Sequence, residues 1–202
     1  MKLHYAPDAC SLASHIVARE AGLPLALDRL DWATMKTEAG EDFLTINPKG
    51  YVPTLRLDDG SVLTETGVLI QYLADLKPDV GLIPKAGTME RYRVMEAINF
   101  VSTELHKGFG PLWNKANTPE VMEATKKQLG KRFAYLDQLF GAQSFVTGNT
   151  FTVVDAYLFA ILNWTNFHAI DLSPWPRVAD YMSRLASRPA VLAAMKAEGF
   201  VK

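Results

Sequence analysis

Apolar and polar positions alternate at the start of the chain, and the alternation then gives way to a longer period. Leu3 and Tyr5 alternate with Lys2 and His4, a pattern that suits a short half-buried strand. Pro7-Asp8-Ala9 turns the chain. From Ser11 onward Leu12, Ile16 and Arg19 fall at helical spacing until Gly22, where a helix can stop. Leu25, Leu27 and Leu30 form a second strand pattern after Gly22-Leu23-Pro24. Asp31 to Asn47 is polar with scattered apolar positions, which predicts irregular chain with a short helix near Glu41–Leu44. Leu55 and Leu57 then alternate with Thr54 and Arg56. Asp59-Gly60 marks a hairpin, and Val62-Leu63 supply the returning strand. Thr64-Glu65-Thr66-Gly67 opens a helix whose expected apolar face is Leu69, Ile70, Leu73 and Leu76. The order is β-α-β followed by β-β-α, a small α/β domain with a mixed sheet over residues 1–80.

Pro78, Gly81, Pro84 and Gly87 make residues 77–87 a linker. Beyond it the pattern is helical throughout, predicting an all-α bundle over 88–202. Thr88–Trp113 reads as one long helix through Met95, Ile98, Val101, Phe109 and Leu112, and Glu120–Phe140 as a second. Thr152 and Asp155 flank a start that suits helix capping. The helix that follows is almost wholly apolar from Ala156 to Leu162, which predicts burial on every side. Trp175–Leu185 and Ala190–Ala197, split by Pro189, complete the expected bundle.

Composition narrows the function classes. The 202 residues are 49% apolar and 21% charged with a formal net charge of -1, so no basic footprint invites nucleic acid or an anionic membrane. One cysteine excludes an internal disulfide framework. No run is long and apolar enough for a membrane span, and the first residues have no signal-peptide core. A cytoplasmic location is the expectation.

Four features bear on chemistry. Cys10 falls where a strand hands over to a helix, and a helix amino terminus favours a thiolate; its alternative is a small hydrophobe in the core. Val52-Pro53 precedes a strand pattern. A cis bond there would turn the Val52 backbone groups outward to pair with an extended peptide, while the ordinary alternative is a trans proline at a strand's first residue. Glu65-Thr66 at a helix start offers a carboxylate site beside an acid that can hold an ammonium, or simply a cap. Asn99, Thr103, His106 and Lys107 share one face of the long helix, with His106 able to share a proton with a sulfur and Lys107 able to attract an anion. A solvated face is the competing reading.

With Asn47-Pro48-Lys49-Gly50-Tyr51-Val52-Pro53, Leu63-Thr64-Glu65-Thr66-Gly67 and Thr152-Val153-Val154-Asp155-Ala156-Tyr157-Leu158-Phe159, the chain resembles the cytosolic glutathione transferases over essentially its whole length. Tyr5 followed by Cys10-Ser11-Leu12, together with Glu104-Leu105-His106-Lys107-Gly108, is similar to the bacterial beta class. The resemblance implies a thioredoxin-like amino-terminal domain, glutathione as co-substrate without a metal, and a homodimer. Val52 would pair through its backbone with the cysteinyl part of glutathione ahead of a cis Pro53. Glu65 and Thr66 would hold the γ-glutamyl end. Cys10 and His106 would be the catalytic residues at the sulfur, with Trp164 lining the site. Asn99 and Thr103 would reach the glutathione of the other subunit, and Lys107 belongs to the same stripe. Tyr5, Phe109, Trp113 and Phe167 would form the second-substrate pocket, with core packing as the competing role for the aromatics. Met35 stands where the class often has lysine, with Lys36 next to it, and Tyr51 stands where it usually has glutamine.

The implied activity is conjugation of the glutathione thiolate to electrophilic, largely apolar small molecules. The alternatives are glutathione-dependent disulfide reduction through a Cys10 mixed disulfide, and ligand binding without catalysis.

Overall fold

The computed structural model describes residues 1–200. The chain divides into two compact units, one made of Met1–Ile83 with the segment from Arg188 onward, the other of Pro84–Ser187.

The first unit is built on a five-stranded sheet in the order β3-β2-β1-β4-β5. The strands are β1 (Lys2–Tyr5), β2 (Ala26–Asp31), β3 (Lys36–Thr37), β4 (Thr54–Arg56) and β5 (Val62–Thr64). β1 runs parallel to β2, because α1 (Ser11–Glu20) makes the crossover that parallel strands require; every other pairing is antiparallel. Leu3 faces Leu27 on one side and Leu55 on the other, so the alternation in the sequence becomes the register of the sheet. The expected irregular stretch holds the two-residue β3 and a short α2 (Phe43–Ile46), whose first turn is capped by the Asp42 carboxylate. Phe43 and Ile46 pack with Ala6, Leu30 and Val52 into one apolar cluster.

α3 (Thr66–Asp75) packs on α1 and buries Leu69, Ile70, Leu73 and Ala74. Leu76 does not belong to that face: it ends the helix and is 41% exposed.

The last helix, α10, corrects the expected domain boundary. Pro189–Glu198 packs on α1 of the first unit and not in the helical bundle. Its Val191, Ala194 and Met195 are buried, but the direction is fixed by charge. The guanidinium of Arg188 grips Glu20 through two hydrogen bonds (2.8 and 3.1 Å). Glu198 Oε1 lies 2.8 Å from His15 Nδ1, and His15 Nε2 accepts from Arg19 Nε at 2.8 Å. An imidazole that accepts at Nε2 carries its proton on Nδ1, so His15 donates to Glu198. Burial pushes the Glu198 carboxyl above its usual range, and His15 opposes that shift.

The second unit contains α4 (Met89–Phe100), α5 (Lys107–Trp113), α6 (Pro119–Leu139), α7 (Val153–Leu162), a short α8 (Trp164–Phe167) and α9 (Pro176–Ala186). Every residue of α7 is buried, as its unbroken apolar run predicts. The start of α7 is closed by a reciprocal capping box between Thr152 and Asp155. Asp155 also accepts from the Val146 N–H (2.9 Å) and the Tyr181 hydroxyl (2.9 Å). The expected single helix over 88–113 is interrupted. Val101–His106 is a π-helical turn, in which the Lys107 N–H reaches back five residues to the Ser102 carbonyl. Gly108 follows at once, where a Cβ would stand 3.1 Å from the tip of the Leu129 side chain of α6, which would have to give by a few tenths of an ångström.

Candidate functional site

Cys10 caps the start of α1 with helical dihedrals (φ -63, ψ -13). The residue is buried, at 7% exposure. Its thiol does not turn back onto the helix amides; Sγ donates to the Val52 carbonyl 3.5 Å away. The turn that presents Cys10 is held by the next residue, since the Ser11 hydroxyl accepts from Ala6 N–H (3.3 Å) and donates to Ala6 C=O (3.2 Å). Strand, turn and helix are thereby tied at one point, with the thiol on the inner side.

The Val52–Pro53 bond is cis. Asn47, itself buried, braces this turn by donating from Nδ2 to the Tyr51 carbonyl and to Thr54 Oγ1, both at 2.9 Å. Sequence reasoning treats Asn47 as a turn residue only, although it opens the Asn-Pro-Lys-Gly stretch. Tyr51 is 68% exposed. Met35 has a left-handed backbone (φ 54) and packs against the cluster that contains Val52. It therefore serves the apolar floor of this region and offers nothing to a carboxylate.

At the start of α3, Glu65 adopts φ 71 and ψ 116, a conformation that non-glycine residues rarely take. No side chain caps this helix start. The Glu65 carboxylate is exposed and pairs with Lys49 Nζ at 2.9 Å, and the same ammonium donates to Thr64 Oγ1 at 2.9 Å. Thr66, the first helical residue, is buried. Sequence reasoning misses the pairing of Lys49 with Glu65; its signal is the place of Lys49 inside the motif already noted. Tyr5 is nearly buried, and burial together with the Glu198 charge pushes its hydroxyl above the ordinary tyrosine range, so it stays a phenol.

In the helical unit the polar stripe is divided by the π-turn. Asn99, Thr103 and Lys107 are exposed, whereas His106 is half-buried with Nδ1 2.7 Å from the Tyr157 hydroxyl. Trp164 is buried edge-on to His106, Phe109 and Trp113, with ring centroids 5.0, 5.6 and 5.4 Å away. Phe109 corrects the expected pocket. It is fully buried between Phe133 and Trp164 and serves the core. Trp113 and Phe167 are each nearly half exposed and remain available to a ligand. Tyr157 and His168, which fix His106 and Trp113 from below, carry no signal in the sequence beyond ordinary core spacing. Among the described residues no group of three or more His, Cys, Asp or Glu side chains is placed to hold a metal ion, and no helix is long and apolar enough to cross a membrane.

Comparison with known proteins bears on the whole arrangement. Residues 9–76 match the family described as glutathione S-transferase, N-terminal domain, and residues 100–189 match its C-terminal domain. A curated relative from Escherichia coli O157:H7, named glutathione S-transferase GstA, is 43% identical over 200 residues, covering 98% of this chain and 99% of the relative. The chain belongs to the glutathione S-transferase family. Among solved structures, a sphingomonad glutathione S-transferase complexed with glutathione superposes with a TM-score of 0.96 at 43% identity, covering all of both chains. A beta-class glutathione S-transferase from Sphingomonas chungbukensis gives 0.95 at 43% identity, again over the full length of both. The thioredoxin-like domain followed by helices is thus the fold of a glutathione S-transferase. Within it the amino-terminal unit gathers Cys10, Val52, Pro53, Glu65 and Thr66, while the helical unit carries Asn99, Thr103, His106, Lys107 and Trp164.

Proposed function

We propose that the protein binds glutathione and directs its thiolate at an electrophilic, largely apolar small molecule in the cytoplasm, working as a homodimer. The observation that carries the reading is the start of α3, where Glu65 keeps an unfavourable backbone conformation beside Thr66 and no side chain closes the helix. The N–H groups and positive dipole end of a helix start favour a carboxylate, and an adjacent acid favours an ammonium. The γ-glutamyl end of glutathione carries both. The cysteinyl part pairs with the Val52 backbone in the manner of an added strand, which brings its sulfur toward Cys10. Hydrogen-bond donors at that sulfur lower the cost of the thiolate, and His106 shares its proton. Asn99 and Thr103 serve the glutathione of the partner subunit, and Lys107 attracts an anionic group of the ligand. The exposed Met89, Tyr92 and Met95 of α4 supply apolar surface for that partner.

The test is the initial rate of glutathione conjugation to 1-chloro-2,4-dinitrobenzene, followed by absorbance. A rate well above the spontaneous reaction is expected; no enhancement would overturn conjugation as the general activity. The position of Cys10 beside the Val52–Pro53 turn favours a second reaction. In it the Cys10 thiolate attacks a glutathionylated disulfide, releasing the other thiolate and forming Cys10–glutathione. A glutathione thiolate then attacks this mixed disulfide, releasing oxidised glutathione and regenerating Cys10. Cys10→Ala separates the two, since reduction then vanishes whereas conjugation survives.

A further inference from the structure

An exposed ammonium and an exposed carboxylate stand side by side at the open start of α3. Lys49 Nζ donates to Glu65 Oε1 and to Thr64 Oγ1, each at 2.9 Å, and the Lys49 and Glu65 side chains are 53% and 65% exposed. The backbone is constrained on both sides. Glu65 is held at φ 71, and Lys49 sits in a turn where its own N–H donates to Asn47 Oδ1 (3.2 Å) and the Gly50 N–H to the Asn47 carbonyl (2.9 Å). An exposed ion pair of this kind adds little to stability. Its bonding capacity is only partly used. An ammonium has three donors, and two of those of Lys49 are taken; a carboxylate has two oxygens, and Glu65 Oε2 accepts no hydrogen bond among the described residues. One spare donor and one spare acceptor oxygen remain on neighbouring opposite charges.

We propose that Lys49 is a specificity-determining residue of the glutathione site: with Glu65 it forms a charge doublet that reads the zwitterionic γ-glutamyl head, Glu65 taking the ammonium and Lys49 the α-carboxylate. The proposal rests on the glutathione reading above and deepens it, since that reading leaves the carboxylate to the helix start alone. A zwitterion laid antiparallel to the doublet puts each of its charges against the opposite one, so attraction adds at both ends. The Lys49–Glu65 bond stays in place, because each partner keeps a bonding position for the ligand. Selectivity follows from the same arrangement. A head with an ammonium and no carboxylate meets the repulsion of Lys49, and a head with a carboxylate and no ammonium meets that of Glu65. The doublet thereby favours thiols with a free amino-acid head over those whose amino group is acylated.

Three ligands test this by calorimetry: glutathione, 4-aminobutyryl-cysteinyl-glycine, which lacks the α-carboxylate, and glutaryl-cysteinyl-glycine, which lacks the ammonium. The parent protein should bind glutathione tightest of the three. Lys49→Met should weaken glutathione about fivefold, the upper end for an exposed charge pair. The same variant should bind the 4-aminobutyryl peptide at least as tightly as the parent protein does. Lys49→Arg keeps the charge and should stay within about twofold of the parent for all three ligands. Equal weakening of glutathione and of the 4-aminobutyryl peptide in Lys49→Met would make Lys49 a brace of the turn and overturn the proposal. Unchanged or tighter binding of glutathione in that variant would also overturn it, the second by making Lys49 a competitor for Glu65. An absence of heat with glutathione in the parent protein overturns the glutathione site itself, and the doublet with it.

Discussion

Two helix starts in this protein, those of α3 and α7, solve one problem in opposite ways. Each ten-residue helix begins with N–H groups that have no partner inside the helix. At α7 the chain closes the start itself. Asp155 is wholly buried and accepts from the N–H and hydroxyl of Thr152, from Val146 N–H and from Tyr181 OH. Those four donors oppose the burial that pushes its carboxyl above the usual range. At α3 the start stays open. Glu65 is exposed, its backbone sits in a sparsely populated region at a cost of about 1–3 kcal/mol, and its carboxylate meets the long side chain of Lys49 and solvent. A start closed by its own chain is a structural joint. One left open at a cost to folding is a place prepared for something else.

The largest expected effect breaks the closed start. Asp155→Ala would leave the Thr152, Val146 and Tyr181 donors buried without an acceptor, and should lower stability by about 3 kcal/mol or more in urea unfolding. Asp155→Asn keeps one acceptor oxygen and should fall between the two. A loss below about 1 kcal/mol in the alanine variant would mean that the two starts do not differ in kind.

The open start should respond in the opposite sense. Glu65→Ala is expected to leave unfolding within about 0.5 kcal/mol of the parent protein, as exposed substitutions do. Its KM for glutathione should rise tenfold or more, equivalent to about 1.4 kcal/mol of binding. Steady-state kinetics at varied glutathione together with a urea curve decide it. A destabilised variant with an unchanged KM would reverse the comparison.

The smallest effect concerns His4, in β1, the middle strand of the sheet. Its ring is fully buried, neither nitrogen has a hydrogen-bond partner among the described residues, and the Asp28 carboxylate lies 3.5 Å off. Burial pushes its pKa below the ordinary 6.5. Asp28 and Glu41 oppose that shift, while Arg56 and Lys2 add to it. The unfolded chain therefore takes up this proton at a higher pH than the folded one. Stability should be unaffected above 6.5, fall as the pH drops through 6.5, and stop falling once the folded histidine is itself protonated. His4→Leu should flatten that slope in thermal melts run across the range, and glutathione affinity should not move.

How much of this is legible in the sequence depends on how far apart the interacting residues lie. Local rules carry the sheet, the Asp59-Gly60 hairpin, the capping box and the buried α7, because each is decided within a few residues. The two-residue β3 escapes them, since its only warrant is pairing of Lys36 and Thr37 with Asp31 and Leu30 across a turn that includes Met35 at positive φ. The π-turn at Val101–His106 escapes because it keeps an apolar periodicity while shifting the hydrogen bonds by one residue. Periodicity places α10 with the wrong unit, as the His15–Glu198 pair that anchors it joins residues 183 positions apart. The candidate site residues come from motif and resemblance. The burial of Phe109, the bracing by Asn47 and the contact of Cys10 with Val52 all need the folded chain.

The return of α10 to α1 also bears on how the protein is made. The amino-terminal unit is discontinuous in sequence, so its sheet emerges from the ribosome long before the helix that covers His15. At synthesis rates of about 5–20 residues per second, that interval lasts on the order of ten seconds. Throughout it the nascent unit presents an unfinished apolar face of α1, while the intervening helical unit is still being made. Quality-control factors that survey exposed apolar surface would therefore meet this chain at α1, and the closing of α10 is what ends their opportunity.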